Sequence, residues 1–284
     1  MKIKDILKQE KNILSFEVFP PKAENTYESV KKAVHEIAKL KPAFMSVTYG
    51  AGGGTSRFTM DIASDLLREC GITPMVHLTG VSLSRAQLRK TAEQIKDRGI
   101  ENILSLRGDI PEIRENDYNY ASELIHDLKE LGDFCIGGTC YPEGHPESAS
   151  MAEDLRHLKE KTDAGCDFLT SQMFFDNTIF YNFLYRAREK GITVPIIAGI
   201  MPITNVKQLK RTVSLSATHL PARFRRLLDK FGDNPNVMKQ AGIAYTTEQI
   251  VDLVANGIQA IHIYTMNHPD VAEQIRKNLS EILG

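Results

Sequence analysis

The chain has 284 residues, 42% hydrophobic and 25% charged, the proportions of an ordinary globular protein. Its formal net charge of −1 argues against a nucleic acid or an anionic membrane surface as partner. Four scattered cysteines (Cys70, Cys135, Cys140 and Cys166), with no CxxC pair, read as reduced and structural, the usage of a cytoplasmic protein.

The opening residues, Met1-Lys2-Ile3-Lys4-Asp5-Ile6-Leu7-Lys8, are too charged for a signal peptide and read as a short amphipathic helix. No apolar stretch approaches the roughly 20 residues of a membrane span. From there, apolar β-branched runs alternate with amphipathic segments. The runs at 13–19, 43–49, 73–79, 102–107, 134–141, 167–172, 195–200 and 259–264 predict strands. Between the first two, Val30, Ala33, Val34 and Ile37 share one face of a helix over 27–40. Ser84 is placed to cap a helix that buries Leu88, Ala92 and Ile95 and stops at Gly99. The longest interval separates the seventh and eighth strands, and its pattern predicts extra helices around 205–217, 221–231 and 234–256. Eight strand–helix units without a Pro/Gly/Ser linker predict one (β/α)8 barrel domain over 1–284. A doubly wound open sheet is the alternative.

In such a barrel the C-terminal strand ends converge on one face, where catalysis occurs. Glu17, in Leu14-Ser15-Phe16-Glu17-Val18-Phe19-Pro20-Pro21, and Asp109, in Leu104-Ser105-Leu106-Arg107-Gly108-Asp109-Ile110-Pro111, both lie at such ends. Two acids in one pocket can be driven apart in pKa, one to donate a proton and one to hold a charge. Gly50-Ala51-Gly52-Gly53-Gly54 lacks the last glycine of a dinucleotide fingerprint, because position 55 is Thr, and no P-loop Lys-Ser/Thr follows. It reads as a turn or as a loop that lets a planar ligand approach backbone. None of the eight histidines has zinc spacing, so no metal is expected. His35, His126, His157 and His219 fall in helical stretches and read as surface residues. His77 and His145, near strand ends, either line the site or satisfy local hydrogen bonds. Gln172 suits an amide-like ring edge or a structural hydrogen bond, and Phe174-Phe175 reads as core. With no G-x-S-x-G elbow or Cys–His pairing, a protein nucleophile is unsupported and a cofactor is left to do the hard step.

Six segments, in order, resemble the motif series of the methylenetetrahydrofolate reductase family. They are Phe16-Glu17-Val18-Phe19-Pro20-Pro21, Ser46-Val47-Thr48-Tyr49-Gly50-Ala51-Gly52, His77-Leu78-Thr79, Leu106-Arg107-Gly108-Asp109, Tyr141-Pro142-Glu143-Gly144-His145-Pro146-Glu147 and Gln172-Met173-Phe174-Phe175-Asp176. The chain looks like the short bacterial form. The resemblance implies a (β/α)8 barrel that holds FAD non-covalently and reduces 5,10-methylenetetrahydrofolate with NADH or NADPH, in a homo-oligomer. It implies Glu17 as general acid and Asp109 near both flavin and folate. Thr48, His77, Arg107, Gly108, Asp109, Tyr120, Ala121, Tyr141, His145, Ser148, Asp154 and Lys161 fall where the family contacts FAD. Gln172 and Gln208 fall where it contacts folate, with Gln172, Thr48, Tyr49 and Ala51 near the nicotinamide. The chain departs from many relatives at Ser56-Arg57-Phe58, where they carry an Arg-acid-Arg run. Thr212 replaces a stacking phenylalanine of some bacterial members, and His268 an arginine near the folate tail. Two other classes compete: a folate-binding barrel methyltransferase, which needs a corrinoid or zinc partner, and a non-catalytic flavin- or folate-binding protein.

Overall fold

The computed structural model describes residues 1–9, 11–49, 56–108, 117–216 and 218–283. Eight strands run β1 Ile13–Val18, β2 Met45–Val47, β3 Pro74–Thr79, β4 Asn102–Leu106, β5 Cys135–Cys140, β6 Phe168–Ser171, β7 Ile196–Ile200 and β8 Ala260–Tyr264. Each pairs in parallel with the next, and β8 pairs with β1, so the sheet closes. This is the (β/α)8 barrel the pattern predicts, and not the open sheet. The strand predictions hold to within two residues at each end, the usual fraying of such boundaries.

A helix α1 (Ile3–Gln9) precedes the first strand. Helices α2 (Tyr27–Ala38), α3 (Ser56–Arg68), α4 (Arg85–Asp97), α5 (Ala121–Leu131), α6 (Met151–Asp163) and α7 (Asn177–Glu189) follow β1 to β6 in turn. Three more, α8 (Val206–Ser216), α9 (Ala222–Phe231) and α10 (Pro235–Ala255), lie between β7 and β8, and α11 (Pro269–Asn278) follows β8. Local chemistry sets several of these starts. Ser84 and Gln87 cap α4 reciprocally, and the Asn234 side chain accepts from Asn236 N and Val237 N before the proline that opens α10. No described helix is long and apolar enough to cross a membrane.

Because side chains alternate along a strand, each strand feeds two cores. Outward residues such as Phe16, Val47, Leu78, Ile103, Ile136, Leu169, Ile200 and Ile263 pack against the helices. Inward, the N-terminal end of the barrel is filled by Ile13, Phe44, Met75, Leu104, Cys135, Phe168, Ile197 and Ala260, with Ile3 and Ile6 of α1 among them. Two bonds fasten α1 there: Ile3 N donates to Asn102 Oδ1 (2.8 Å) and Asn102 Nδ2 donates to the Met1 carbonyl (3.0 Å). A third cluster, of Met173, Phe175, Ile203, Leu209, Phe224 and Met238, lies beneath the extra helices. Gly242 makes that packing possible, since a Cβ there would stand 1.9 Å from the Ile203 carbonyl oxygen.

The opposite ends of the barrel do separate work. Replacing Ile6, buried in the plug, by Ala should destabilise the fold by about 2–4 kcal/mol through lost burial and a residual cavity. Urea unfolding measures this, and an unchanged midpoint would show that α1 does not close the barrel.

Candidate active site

On β1, β2, β3, β6 and β8 the barrel interior turns polar two residues along from the apolar plug. Glu17 Oε2 lies 3.5 Å from His77 Nε2, and the residues are only 8% and 6% exposed. Burial raises the Glu17 pKa to about 8, a rise the Ser46 hydroxyl partly offsets. Burial also lowers the His77 pKa to about 3. The contact has the spacing of an ion pair, but near pH 7 it joins a protonated acid to a neutral imidazole.

Below Glu17 runs a chain of hydrogen bonds. Ser46 Oγ lies 3.1 Å from His262 Nε2, His262 Nδ1 lies 2.8 Å from Ser15 Oγ, and Ser15 Oγ donates to the Ile261 carbonyl at 3.1 Å. Burial, with His77 nearby, pushes His262 down to about 3, so its ring is neutral, with one donor and one acceptor. A carbonyl only accepts, so Ser15 spends its proton on Ile261 and takes the His262 Nδ1 proton. Nε2 then accepts from Ser46, whose oxygen is left to accept from Glu17. This polarity matches a protonated Glu17. The backbone beyond Glu17 is held from β8: Thr265 Oγ1 donates to the Glu17 carbonyl (2.6 Å). Asn267 bonds both the carbonyl (2.9 Å) and the N–H (2.8 Å) of Phe19.

A cavity of about 430 Å³ opens among β4, β5, α5 and α6. Nine of the residues singled out for the cofactor line it: Arg107, Gly108, Tyr120, Ala121, Tyr141, His145, Ser148, Asp154 and Lys161. The Arg107 guanidinium is gripped by Glu147 in a two-bond pair of 2.5 and 2.7 Å, and its Nε donates to the Gly108 carbonyl at 3.3 Å. Gly108 has φ +88°, and a Cβ there would stand 2.7 Å from Val81 Cγ2, so the turn requires glycine. Lys161 Nζ donates to the Thr139 carbonyl at 2.6 Å, and burial lowers its pKa while Cys166, Cys140 and Asp154 pull it back. Burial raises Asp154, against the pull of Lys161. His145 meets Tyr141 edge-on at 4.6 Å, and its pKa is lowered by burial and then by Arg107.

Thr48 and Tyr49 follow β2 directly, and His77 stands on β3, away from this cavity and on the Glu17 side of the barrel. Gln172 follows β6, with Oε1 accepting from Met173 N at 2.9 Å. Asp109, Ala51 and the glycine run at 50–54 lie outside the described residues, as does the side chain of Gln208 on α8. Of the departures, Phe58 packs on Tyr27 (5.9 Å between rings), Thr212 sits on α8, and His268 is the exposed residue before α11. The side chain of Ser56 lies outside the described residues.

Two surface assignments need correction. His157 is half-buried, lines the cavity and stacks on Tyr120 (5.5 Å, 15°), because the loop leading into α5 brings that tyrosine against α6. His35 is half-buried too, with Nε2 3.7 Å from Glu69 of the neighbouring helix segment. His126 and His219 are exposed, and Phe174 and Phe175 are core. Sequence reasoning passed over Ser15, Ser46, His262 and Glu147. The first three share a signal: they are polar residues at the inward positions of strands that are otherwise apolar.

The donor set fits a flavin dinucleotide. Arg107 and Lys161 are cations suited to a diphosphate, Asp154 is an acceptor for ribose hydroxyls, and Tyr120 and His157 offer a stacked aromatic face. Fold and site define the class: a (β/α)8-barrel enzyme with a buried acid whose pKa burial raises, and a separate cavity lined by cations and imidazoles. The chain belongs to the methylenetetrahydrofolate reductase family, whose sequence model matches residues 2–280. It is 35% identical to the 5,10-methylenetetrahydrofolate reductase of Pectobacterium carotovorum subsp. carotovorum, over 92% of this chain and 88% of that protein. It is also 35% identical to the Arabidopsis thaliana methylenetetrahydrofolate reductase (NADH) 1, over 99% of this chain but 50% of that one. The chain thus spans about half the length of its plant relatives. A solved Clostridium thermocellum protein, described as binding two copies of 5-methyl-5,6,7,8-tetrahydrofolic acid, superposes with a TM-score of 0.68. It covers 100% of this chain and 99% of its own, and at 15% identity it speaks for the fold alone.

A carboxyl whose folded pKa is raised to about 8 contributes its full stability below the unfolded value of about 4.5 and loses it as pH rises through 8. Glu17→Gln is neutral throughout, so its stability relative to the unsubstituted protein should rise from pH 4.5 to pH 8 by a few kcal/mol and then level off. Chemical denaturation across that window measures it, and a flat difference would mean that Glu17 is ionised at neutral pH.

Proposed function

We propose that this protein reduces 5,10-methylenetetrahydrofolate to 5-methyltetrahydrofolate with NADH or NADPH, the two substrates taking turns on a bound FAD in a ping-pong cycle. The observation that carries this reading is the carboxyl of Glu17 buried inside the barrel on β1, in a chain of this family. The methylene bridge must open before its carbon can accept hydride. Glu17 gives its proton to N10, the N10–carbon bond breaks with its electron pair left on N10, and a 5-iminium cation forms. When bound, FAD supplies the hydride chemistry, accepting from the nicotinamide and giving to the iminium carbon. Ser46 turns its hydroxyl toward the new carboxylate, giving up its bond to His262 Nε2. Asp109, kept ionised, is assigned to stabilise the cation electrostatically. Gln172 and Gln208 are assigned to the folate, and Tyr49, Ala51 and Thr48 to the nicotinamide face.

Arg107, Lys161, His145, Ser148 and Asp154 are assigned to the polar half of FAD, and Gly108, Tyr120, Ala121 and Tyr141 to the walls around it. Thr48 and His77 are assigned to the cofactor on the side of Glu17. A cytoplasmic homo-oligomer belongs to the same reading. A methyltransferase of similar fold would purify colourless and would need a corrinoid or zinc partner.

Two measurements test the reading. Glu17→Gln should slow folate reduction by about a hundredfold to ten-thousandfold while flavin reduction by the nicotinamide stays near its original rate. Equal loss in both half-reactions would sink the general-acid assignment.

Lys161→Met keeps the side-chain stem that crosses Gly138 but removes the charge. It should raise the FAD dissociation constant by about tenfold to a hundredfold and leave turnover at saturating FAD largely intact. Tight FAD with lost turnover would place Lys161 among the reacting groups instead.

A further inference from the structure

The resemblance assigns His77 to the cofactor, yet its Nε2 is turned toward the acid. That atom is buried, has no hydrogen-bond partner in the structure, and lies 3.5 Å from Glu17 Oε2. A buried imidazole nitrogen without a partner is costly, so its orientation calls for a use. The remaining surroundings of Glu17 are accounted for. Ser46 approaches from β2, and His262 stands behind Ser46. Tyr264, the register partner on β8, spends its hydroxyl on the Ser171 carbonyl at 2.5 Å. Among the described residues that face it, His77 is the one whose ring nitrogen has no partner in the resting structure.

We propose that His77 is the positioning residue for proton transfer from Glu17, donating its Nε2 proton to Oε2 as the carboxylate forms. This rests on the reading of Glu17 as general acid. In the resting state a 3.5 Å contact between a neutral N–H and the carbonyl oxygen of a protonated acid is weak. Once the acidic proton has left for N10, Oε2 carries negative charge, and the same pair can close into a charge-assisted hydrogen bond. No proton is exchanged between the two residues: His77 keeps its proton and remains neutral, and Glu17 is the group that changes charge. An interaction that strengthens only as the reaction proceeds lowers the barrier and leaves substrate affinity nearly unchanged. Ser46 and His77 then supply the two donors that replace water around a buried carboxylate.

The test uses His77→Leu, which removes the donor, and His77→Gln, whose amide nitrogen can take the place of Nε2. The first measurement is an infrared titration of the purified protein, with the Glu17 carbonyl band isolated by subtracting the Glu17→Gln spectrum. With the carboxylate deprived of a donor, the midpoint in His77→Leu should move upward from about 8 by about one pH unit or more. In His77→Gln it should stay near the original. The second measurement is the folate half-reaction. It should slow by about tenfold to a hundredfold in His77→Leu, with little change in KM and with its alkaline limb displaced upward. Flavin reduction should slow much less than the folate step, and His77→Gln should recover most of the folate rate.

An unmoved Glu17 midpoint in His77→Leu overturns the proposal, and so does a loss shared equally by both half-reactions or by both variants. If the unsubstituted protein fails to reduce 5,10-methylenetetrahydrofolate, the functional reading fails, and the infrared titration still decides the contact between His77 and Glu17.

Discussion

The site depends on keeping a carboxyl neutral inside a closed barrel. An isolated carboxylate at that depth would be strongly disfavoured, so the proton stays on Glu17 well above its ordinary range. The neighbours sustain that state without competing for it. Among the described residues they are a serine and two imidazoles that burial keeps uncharged, with no ammonium or guanidinium placed against the acid. A lysine beside Glu17 would form an ion pair and remove the transferable proton. The charged groups are kept instead to the cavity between β4 and α6, where Arg107, Lys161 and Asp154 lie. The barrel thus separates a region for moving protons from a region for holding anions.

That separation follows from strand geometry more than from loop design. Period-two alternation puts Ile13, Ser15 and Glu17 on the same side of β1, at increasing height. The neighbouring strands repeat the gradient, from Phe44 to Ser46 and from Met75 to His77. One face of each of these three strands therefore passes from apolar to polar within a few residues. The parallel register brings the polar positions together.

How legible this was varied with the physics involved. The eight strands and the three helices before the last were readable because apolar periodicity and punctuation are local properties. The Ser84 cap was readable for the same reason. Glu17 stood out because a proline pair follows it at a strand end. Ser15, Ser46 and His262 did not, because their importance lies in register: each is unremarkable within its own strand, and they meet only when β1, β2 and β8 close on one another. His157 was read as a surface residue because helical spacing gives a face, not the neighbour that covers it, and Tyr120 arrives from a different unit. The grip of Glu147 on Arg107 joins residues 40 apart and leaves no periodic trace.

The plug formed by α1 also bears on the order of events. Ile3 and Ile6 close the N-terminal end of the barrel over an apolar layer, and among the described residues the hydrogen-bond chain below Glu17 stops at the Ile261 carbonyl without crossing it. On the general-acid reading proposed for Glu17, the acid is recharged through the mouth by which substrate enters and product leaves. On the same reading, proton uptake from solvent is tied to vacating the site, with the acid reset only after the product has gone.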